Sequence, residues 1–388
     1  WARRGSLSDR TYRHRRAWAG LTSSNPTCDI FCRVVDNFGD IGVCWRLARQ
    51  LAAEHGISVR LVVDDLHAFG RIAPAVDSDT RVQTADGVTI VHWLESIDLD
   101  QSACLVIEAF ACELPESYLQ RMVTACNPPV WINLEYLSAE PWVAEHHLLP
   151  SPHPTLPLCK WFFFPGFTTD TGGLIRERDV AGGRLQAPPQ PSARTAVFVF
   201  CYPSAPLGSL LDAIELRGEP TTITIPGHVP EAKPKHWRGP QAESASKAAP
   251  VLESRSADFV AQPLFDDMLR RHAVLFVRGE DSFVRAQWAA KPFVWQIYPQ
   301  PGDAHRIKLD AFLDLYCRGL DAAAAEAMRE MWRAWNEADD PAMPGAWDNF
   351  MAHLPALQAH AVRWAERLAQ MPDLASNLLS FYKKNAKI

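Results

Sequence analysis

Two short stretches hold side chains able to move protons and meet phosphate. The first runs Val34-Val35-Asp36-Asn37-Phe38-Gly39-Asp40-Ile41-Gly42-Val43. Asp36 and Asp40 are carboxylates four residues apart, and a positioned carboxylate can accept a proton from a reacting group. Glycines between them let the backbone bend and come close to a ligand. A purely local explanation also exists, since aspartate is favoured both at helix N-termini and in turns. A plain cap, however, does not need Gly39 on its inner side. The second stretch is Phe276-Val277-Arg278-Gly279-Glu280-Asp281-Ser282-Phe283. Here an apolar strand ends in a glycine turn, and an acidic pair and a serine open a helix. Backbone N–H groups and Ser282 at such a start can hold a phosphate while a carboxylate meets sugar hydroxyls. The same residues also suit a helix start for local reasons.

A third group is Phe198-Val199-Phe200-Cys201-Tyr202 with Ala257-Asp258-Phe259-Val260-Ala261-Gln262. Aromatic residues at strand ends can stack a base, and a tyrosine or glutamine can donate to phosphate. The alternative is that these are core aromatics of a buried strand. Asn37, Gly39, Arg278 and His305 are further cleft candidates, with Lys308 near the last of them. Among the fourteen tryptophans, Trp161 beside Phe162, Phe163 and Phe164 reads as core or a lobe contact.

These groups need strands and helices to carry them. Asp29–Val35 reads as a strand and Ile41–His55 as a helix with apolar positions at helical spacing. Strands at 59–65, 88–93, 104–110 and 130–134 follow, with a helix near 115–124. A proline-rich stretch within 182–194 marks a domain boundary. A second series then starts, with strands at 196–202, 221–226, 274–277 and 293–297. Helices are expected at 207–216, 265–271 and 282–290, then at 307–316, 322–336, one long run near 346–371, and 375–384. Alternating strands and helices predict parallel sheets. The layout is that of a two-lobed α/β enzyme with a cleft between lobes, here 28–181 and 195–365, and a helix from 366 to 388 returning towards the first lobe. No GxGxxG follows any of these strands, which speaks against a dinucleotide cofactor.

The 388 residues exceed one comfortable core. No apolar run reaches the roughly 20 residues of a membrane span. The nine cysteines are scattered without a CxxC pair, which argues against zinc and for a reducing cytoplasm. Net charge is −6, yet residues 1–27 hold six arginines and one aspartate, +5, leaving −11 on the rest. Residues 1–27 are expected to be a disordered basic extension. The acidic body argues against a nucleic-acid partner and suits a basic or cationic acceptor.

At these residues the chain resembles the EarP family, the protein-arginine rhamnosyltransferases of bacterial translation elongation factor P. The resemblance rests on DIFCRVVDNFGDIGVCWRLARQL from Asp29, VIEAFACELP from Val106 and INLEYLSAEPWV from Ile132. It continues with FVFCYP from Phe198, FVRGEDSFVRAQWAAKPFVWQIYPQ from Phe276 and HRIKLDAFLDLY from His305. It implies a GT-B glycosyltransferase with two Rossmann-like lobes and no metal. The implied co-substrate is dTDP-β-L-rhamnose, held in the C-terminal lobe. The implied acceptor is an arginine of elongation factor P, and transfer inverts the anomeric centre. Asp40 matches the general base, with Asp36 and Glu280 the other critical acids. Phe200, Tyr202, Phe259, Gln262, Asp281 and Ser282 match donor-binding positions. The resemblance implies no other cofactor, no nucleic acid and no membrane. The alternative is a GT-B transferase using another nucleotide sugar or acceptor.

Overall fold

The structure is a computed structural model describing residues 26–36, 38–94, 99, 101–181, 193–226, 250–258, 260–299 and 301–386. Asn37, Phe259, the basic stretch 1–25 and most of the expected boundary at 182–194 lie outside the described residues.

The first half contains β1 (Thr27–Cys32), α1 (Gly39–His55), β2 (Ser58–Val63), α2 (Leu66–Ile72), β3 (Val82–Ala85), β4 (Val88–His92) and β5 (Leu105–Ala109). It continues with α3 (Glu116–Thr124), β6 (Val130–Leu134), α4 (Trp142–His146), β7 (Pro150–Pro152), β8 (Cys159–Phe163) and α5 (Arg178–Ala181). Its eight strands pair in the order β3-β4-β2-β1-β5-β6-β8-β7, parallel except where β3 and β7 close the two edges. The second half has β9 (Thr195–Val199), α6 (Leu207–Arg217), β10 (Thr221–Pro226), β11 (Leu252–Ala257), α7 (Gln262–Arg270), β12 (Val274–Arg278), α8 (Gly279–Ala289) and β13 (Phe293–Gln296). Its five strands run parallel in the order β11-β10-β9-β12-β13. Helices α9 (Ala304–Tyr316), α10 (Ala322–Asn336), α11 (Met343–Ala352), α12 (Leu354–Ala369) and α13 (Leu374–Asn385) complete the chain.

In each sheet the strand order reverses beside one central strand, at β1/β5 and at β9/β12. Loops leaving the carboxyl ends of strands at such a point open a crevice, because successive crossovers pass to opposite faces. The residues that follow β1, β9 and β12 are those the sequence marks for chemistry.

Four differences from the sequence reading have local causes. β1 ends at Cys32, short of the expected Val35. β11 and β3 were not expected, because half-exposed edge strands such as Leu-Glu-Ser-Arg-Ser-Ala carry little apolar alternation. Strand β8 was also not expected; it carries most of the aromatic run at 161–164, whose Phe163 and Phe164 are buried in keeping with the reading of that run as core. The long helical run near 346–371 is two helices, because Pro355 lacks an N–H and favours a fresh helix start. Helix α13 packs on α1, with Leu374, Leu378 and Leu379 in the first lobe's core. Among the described residues no helix is long and apolar enough to cross a membrane.

Candidate active site

The loop after β1 is built by carboxylates in place of a strand ladder. The Val34 N–H donates to Asp64 Oδ1 at 2.9 Å. The N–H groups of Val35 and Asp36 donate to Asp40 Oδ2 at 2.8 and 2.9 Å. Those bonds take the backbone groups a neighbouring strand would have used, and β1 stops. Asp40 is therefore not the N-cap of α1: Phe38 holds that position, and Asp40 reaches back from the first turn. The Gly39 N–H closes the turn on Asp36 O at 2.6 Å. A Cβ at Gly39 would stand 2.7 Å from Asp36 Oδ2, so the glycine is required by the carboxylate it faces.

Asp40 is only 2% exposed. Burial raises its pKa, the two N–H bonds and the Tyr136 hydroxyl oppose the rise, and Asp64 adds to it. Burial also raises Asp36, against Tyr202 and Arg278.

The matching turn of the second lobe lies between β12 and α8. Gly279 has φ +61°, and a Cβ there would stand 2.9 Å from Asp36 Oδ2 and 3.2 Å from the Tyr202 hydroxyl. Its carbonyl accepts Trp295 Nε1–H at 2.8 Å, and the Trp295 ring stacks on Phe283 at 4.0 Å. Tyr202 is fixed by its N–H on Gln296 Oε1 at 2.7 Å, and its hydroxyl donates to Asp36 Oδ2 at 2.7 Å. The Arg278 guanidinium lies over the rings of Phe200 and Tyr202, 4.6 and 4.5 Å from their centroids. The Ser282 hydroxyl donates to Arg278 O and accepts from the Arg278 N–H, tying the helix start to its own strand end.

Glu280 faces the other lobe, and its Oε2 accepts the Leu137 N–H at 3.0 Å. Burial pushes its pKa up to about 7; Lys308 and the Leu137 N–H pull it down, and the Asp40 charge adds to the rise. The acids of the two lobes are thus near enough to feel one another. Asp281 moves the opposite way: burial would raise it, but Arg285 and Arg46 hold it below its ordinary value.

A cavity opens between the two turns. Asp36, Gly39, Phe200, Tyr202, Gln262, Arg278, Asp281 and Ser282 line it. Phe38, Ile72, Phe265 and Met268 add an apolar wall. The Gln262 amide donates to Gly42 O at 3.0 Å and Asp281 Oδ2 at 2.9 Å. Its Oε1 has no hydrogen-bond partner among the described residues. Asp40 and Glu280 are not part of this lining. His305 lies elsewhere, in a separate hollow with Arg306, Asp310 and Asn336.

Sequence reasoning missed Tyr136 as a site residue. It follows β6, its hydroxyl hydrogen-bonds Asp40, and its ring stacks on Phe110 at 4.4 Å. Lys308 sits over the same ring, 5.6 Å from its centroid, and faces Glu280. The available signal was position: Glu135-Tyr136 is a polar pair leaving the carboxyl end of a buried strand. Among the described residues no group of three His, Cys, Asp or Glu side chains is arranged to hold a metal ion.

Comparison with known proteins extends over nearly all of these elements. The family described as elongation-factor P (EF-P) rhamnosyltransferase EarP matches residues 28–383. A protein-arginine rhamnosyltransferase of Pseudomonas putida is 44% identical, over 92% of this chain and 99% of that one. One of Neisseria meningitidis is 34% identical, over 93% of this chain and 98% of that one. A solved structure described as the basis for EarP-mediated arginine glycosylation of translation elongation factor EF-P is 33% identical. It covers 92% of this chain and 99% of its own, with a TM-score of 0.62. A spinosyn rhamnosyltransferase complexed with thymidine diphosphate is 14% identical with a TM-score of 0.52, covering 92% of this chain and 99% of its own. That likeness bears on fold alone, and the fold is GT-B. The chain is a glycosyltransferase and belongs to the EarP family of EF-P rhamnosyltransferases.

Proposed function

We propose that the chain transfers L-rhamnose from dTDP-β-L-rhamnose to an arginine side chain of elongation factor P, with inversion. One observation supports the reading: Asp36 of one lobe is hydrogen-bonded to Tyr202 of the other at the cavity both residues line, and the charges of Asp40 and Glu280, on opposite sides of the interface, act on one another. The apolar wall of Phe265 and Met268 with Phe200 suits a base. Arg278 and the first turn of α8 suit the diphosphate. The relatives' names supply the sugar and the arginine.

A guanidinium is a poor nucleophile, because it is a delocalised cation with five N–H donors and no acceptor. Attack requires one N–H proton to leave as the nitrogen bonds to the anomeric carbon and the carbon–oxygen bond to dTDP breaks. Asp40 is assigned the proton. Asp36 and Glu280 are assigned the remaining N–H groups, whose hydrogen bonds hold the guanidinium and disturb its delocalisation. The electron pair of the breaking bond leaves with dTDP, whose charge falls to Arg278, Tyr202 and the α8 N-terminus. An incoming guanidinium also favours the ionised forms of acids that burial has raised.

The test is mass spectrometry of elongation factor P after incubation with the chain and dTDP-rhamnose. Gain of one deoxyhexose on an arginine is expected, and an unchanged acceptor mass sinks the reading. Asp40→Asn should abolish transfer while dTDP still binds. A panel of nucleotide sugars in a thermal-shift assay separates dTDP-linked from other donors.

A further inference from the structure

Arg46 lies on α1, two turns after the reacting loop, and is 1% exposed. Its Nε and Nη2 donate to the two carboxylate oxygens of Glu177 at 2.7 and 2.6 Å. Its Nη1 crosses the interface and donates to Asp281 Oδ1 at 3.0 Å. The other oxygen of Asp281 accepts from Gln262 Nε2 at 2.9 Å and from Arg285 Nε at 3.1 Å. Arg285 in turn donates to Asp266 at 2.8 Å. A second tie runs alongside, from the Gln262 amide to the carbonyl of Gly42 on α1. Asp281 and Gln262 both line the cavity. Two groups on the donor side of the cleft are therefore aimed by a helix of the opposite lobe, and that helix carries Asp40 in its first turn.

We propose that Arg46 is a lobe-spanning positioning residue: by gripping Asp281 it sets the donor pocket's affinity and ties a filled pocket to the placement of α1. The inference rests on the donor reading above. Its geometry is demanding, because one planar fork must serve two carboxylates in different directions, which a lysine ammonium cannot do. The spacing around it is tight as well. A Cβ added at Gly42 would stand 3.1 Å from Asp281, so α1 and α8 approach closely where Arg46 bridges them.

The test is a double-mutant cycle read by calorimetric titration of dTDP into wild type, Arg46→Lys, Asp281→Asn and the double variant. Arg46→Lys should weaken dTDP by about tenfold, the scale of one charge-assisted hydrogen bond. The double variant should be no weaker than Asp281→Asn alone, because Arg46 acts through Asp281. KM for the donor should rise with Kd, while KM for the acceptor protein stays put. Gly56→Ala, remote from the network and with nothing within 4 Å of an added Cβ, is the control for fold: it should lower the melting temperature and leave dTDP affinity unchanged. The proposal is overturned if Arg46→Lys binds dTDP as wild type does, if the two penalties multiply, or if Gly56→Ala costs as much affinity as Arg46→Lys. If wild type itself binds no dTDP, the donor reading fails and the proposal with it; additive penalties on a binding wild type sink the proposal alone.

Discussion

The Tyr202 hydroxyl donates to Asp36 Oδ2 over 2.7 Å, and the two residues belong to different lobes. Glycines flank the contact on both sides: a Cβ at Gly39 or at Gly279 would come within 2.9 Å of that same oxygen. Each lobe has removed a side chain so that its turn can approach one carboxylate. The contact lies at the cavity that Asp36 and Tyr202 both line.

Replacing Tyr202 with phenylalanine tests what that hydroxyl does for Asp36. Burial raises the Asp36 pKa, while the Tyr202 hydrogen bond and the Arg278 charge oppose the rise and Asp40 adds to it. Loss of the hydroxyl removes an opposing influence, so the pKa climbs further and the carboxylate ionises only at higher pH. The acid limb of kcat/KM against pH should shift upward, with activity at neutral pH down by about tenfold or more. An acid limb in the same place as wild type's would mean that Asp36 ionisation does not limit transfer.

Gly279→Ala and Gly56→Ala separate backbone strain from crowding. Both glycines have positive φ, +61° and +67°, so each alanine incurs roughly 1 kcal/mol of conformational cost. At Gly56 a Cβ meets nothing within 4 Å, whereas at Gly279 it meets Asp36 and the Tyr202 hydroxyl. Gly56→Ala should lower the melting temperature and keep transfer intact. Gly279→Ala should lose stability and, in addition, most of its activity. Equal activity in the two variants would count against the Asp36–Tyr202 contact as part of the working site.

How far the sequence revealed this site depended on how local each signal was. Asp36, Gly39 and Gly279 stand in turns between an apolar strand and an amphipathic helix, a pattern written in consecutive residues. The internal strands of both sheets, β8 excepted, were legible for the same reason. Tyr136 and Arg46 were not, because their partners lie far along the chain: Asp40 for the first, Asp281 and Glu177 for the second. A buried arginine on an apolar helix face looks like any surface arginine until two carboxylates arrive from elsewhere. Edge strands such as β11 escaped too, since their pairing is set by the neighbouring strand and not by their own periodicity.

Tyr136→Phe removes one hydroxyl and leaves its ring on Phe110, at 4.4 Å and nearly parallel. That hydroxyl lowers the Asp40 pKa, which burial raises. Asp40 also feels Asp64, with Asp36 on its own loop, Cys32 at the end of β1, Cys44 on α1 and Glu280 on α8. None of these side chains donates as the Tyr136 hydroxyl does, so Asp40 of the variant should ionise at higher pH and the acid limb of the rate profile should move with it. Dissociation of dTDP should stay unchanged, since Tyr136 is not part of the cavity lining. A variant with weakened dTDP binding and an unmoved pH profile would place Tyr136 on the donor side instead.

Glu280 ties stability to pH in a direction opposite to an ion-paired carboxylate. Its folded pKa is raised from 4.5 to about 7, chiefly by burial. The native chain therefore keeps this proton over a range where the unfolded chain has lost it. Its contribution to stability is complete below pH 4.5 and is lost as pH rises through about 7. Glu280→Gln cannot ionise, so the difference in urea midpoint between wild type and variant should move in favour of the variant across that window. Lys308 pulls the Glu280 pKa down by its charge. Lys308→Met should therefore push the window higher, so that the wild-type loss near pH 7 appears at a more alkaline pH. A wild-type minus Glu280→Gln difference that is flat from pH 4.5 to 8 would show that Glu280 ionises in the folded chain as it does in water.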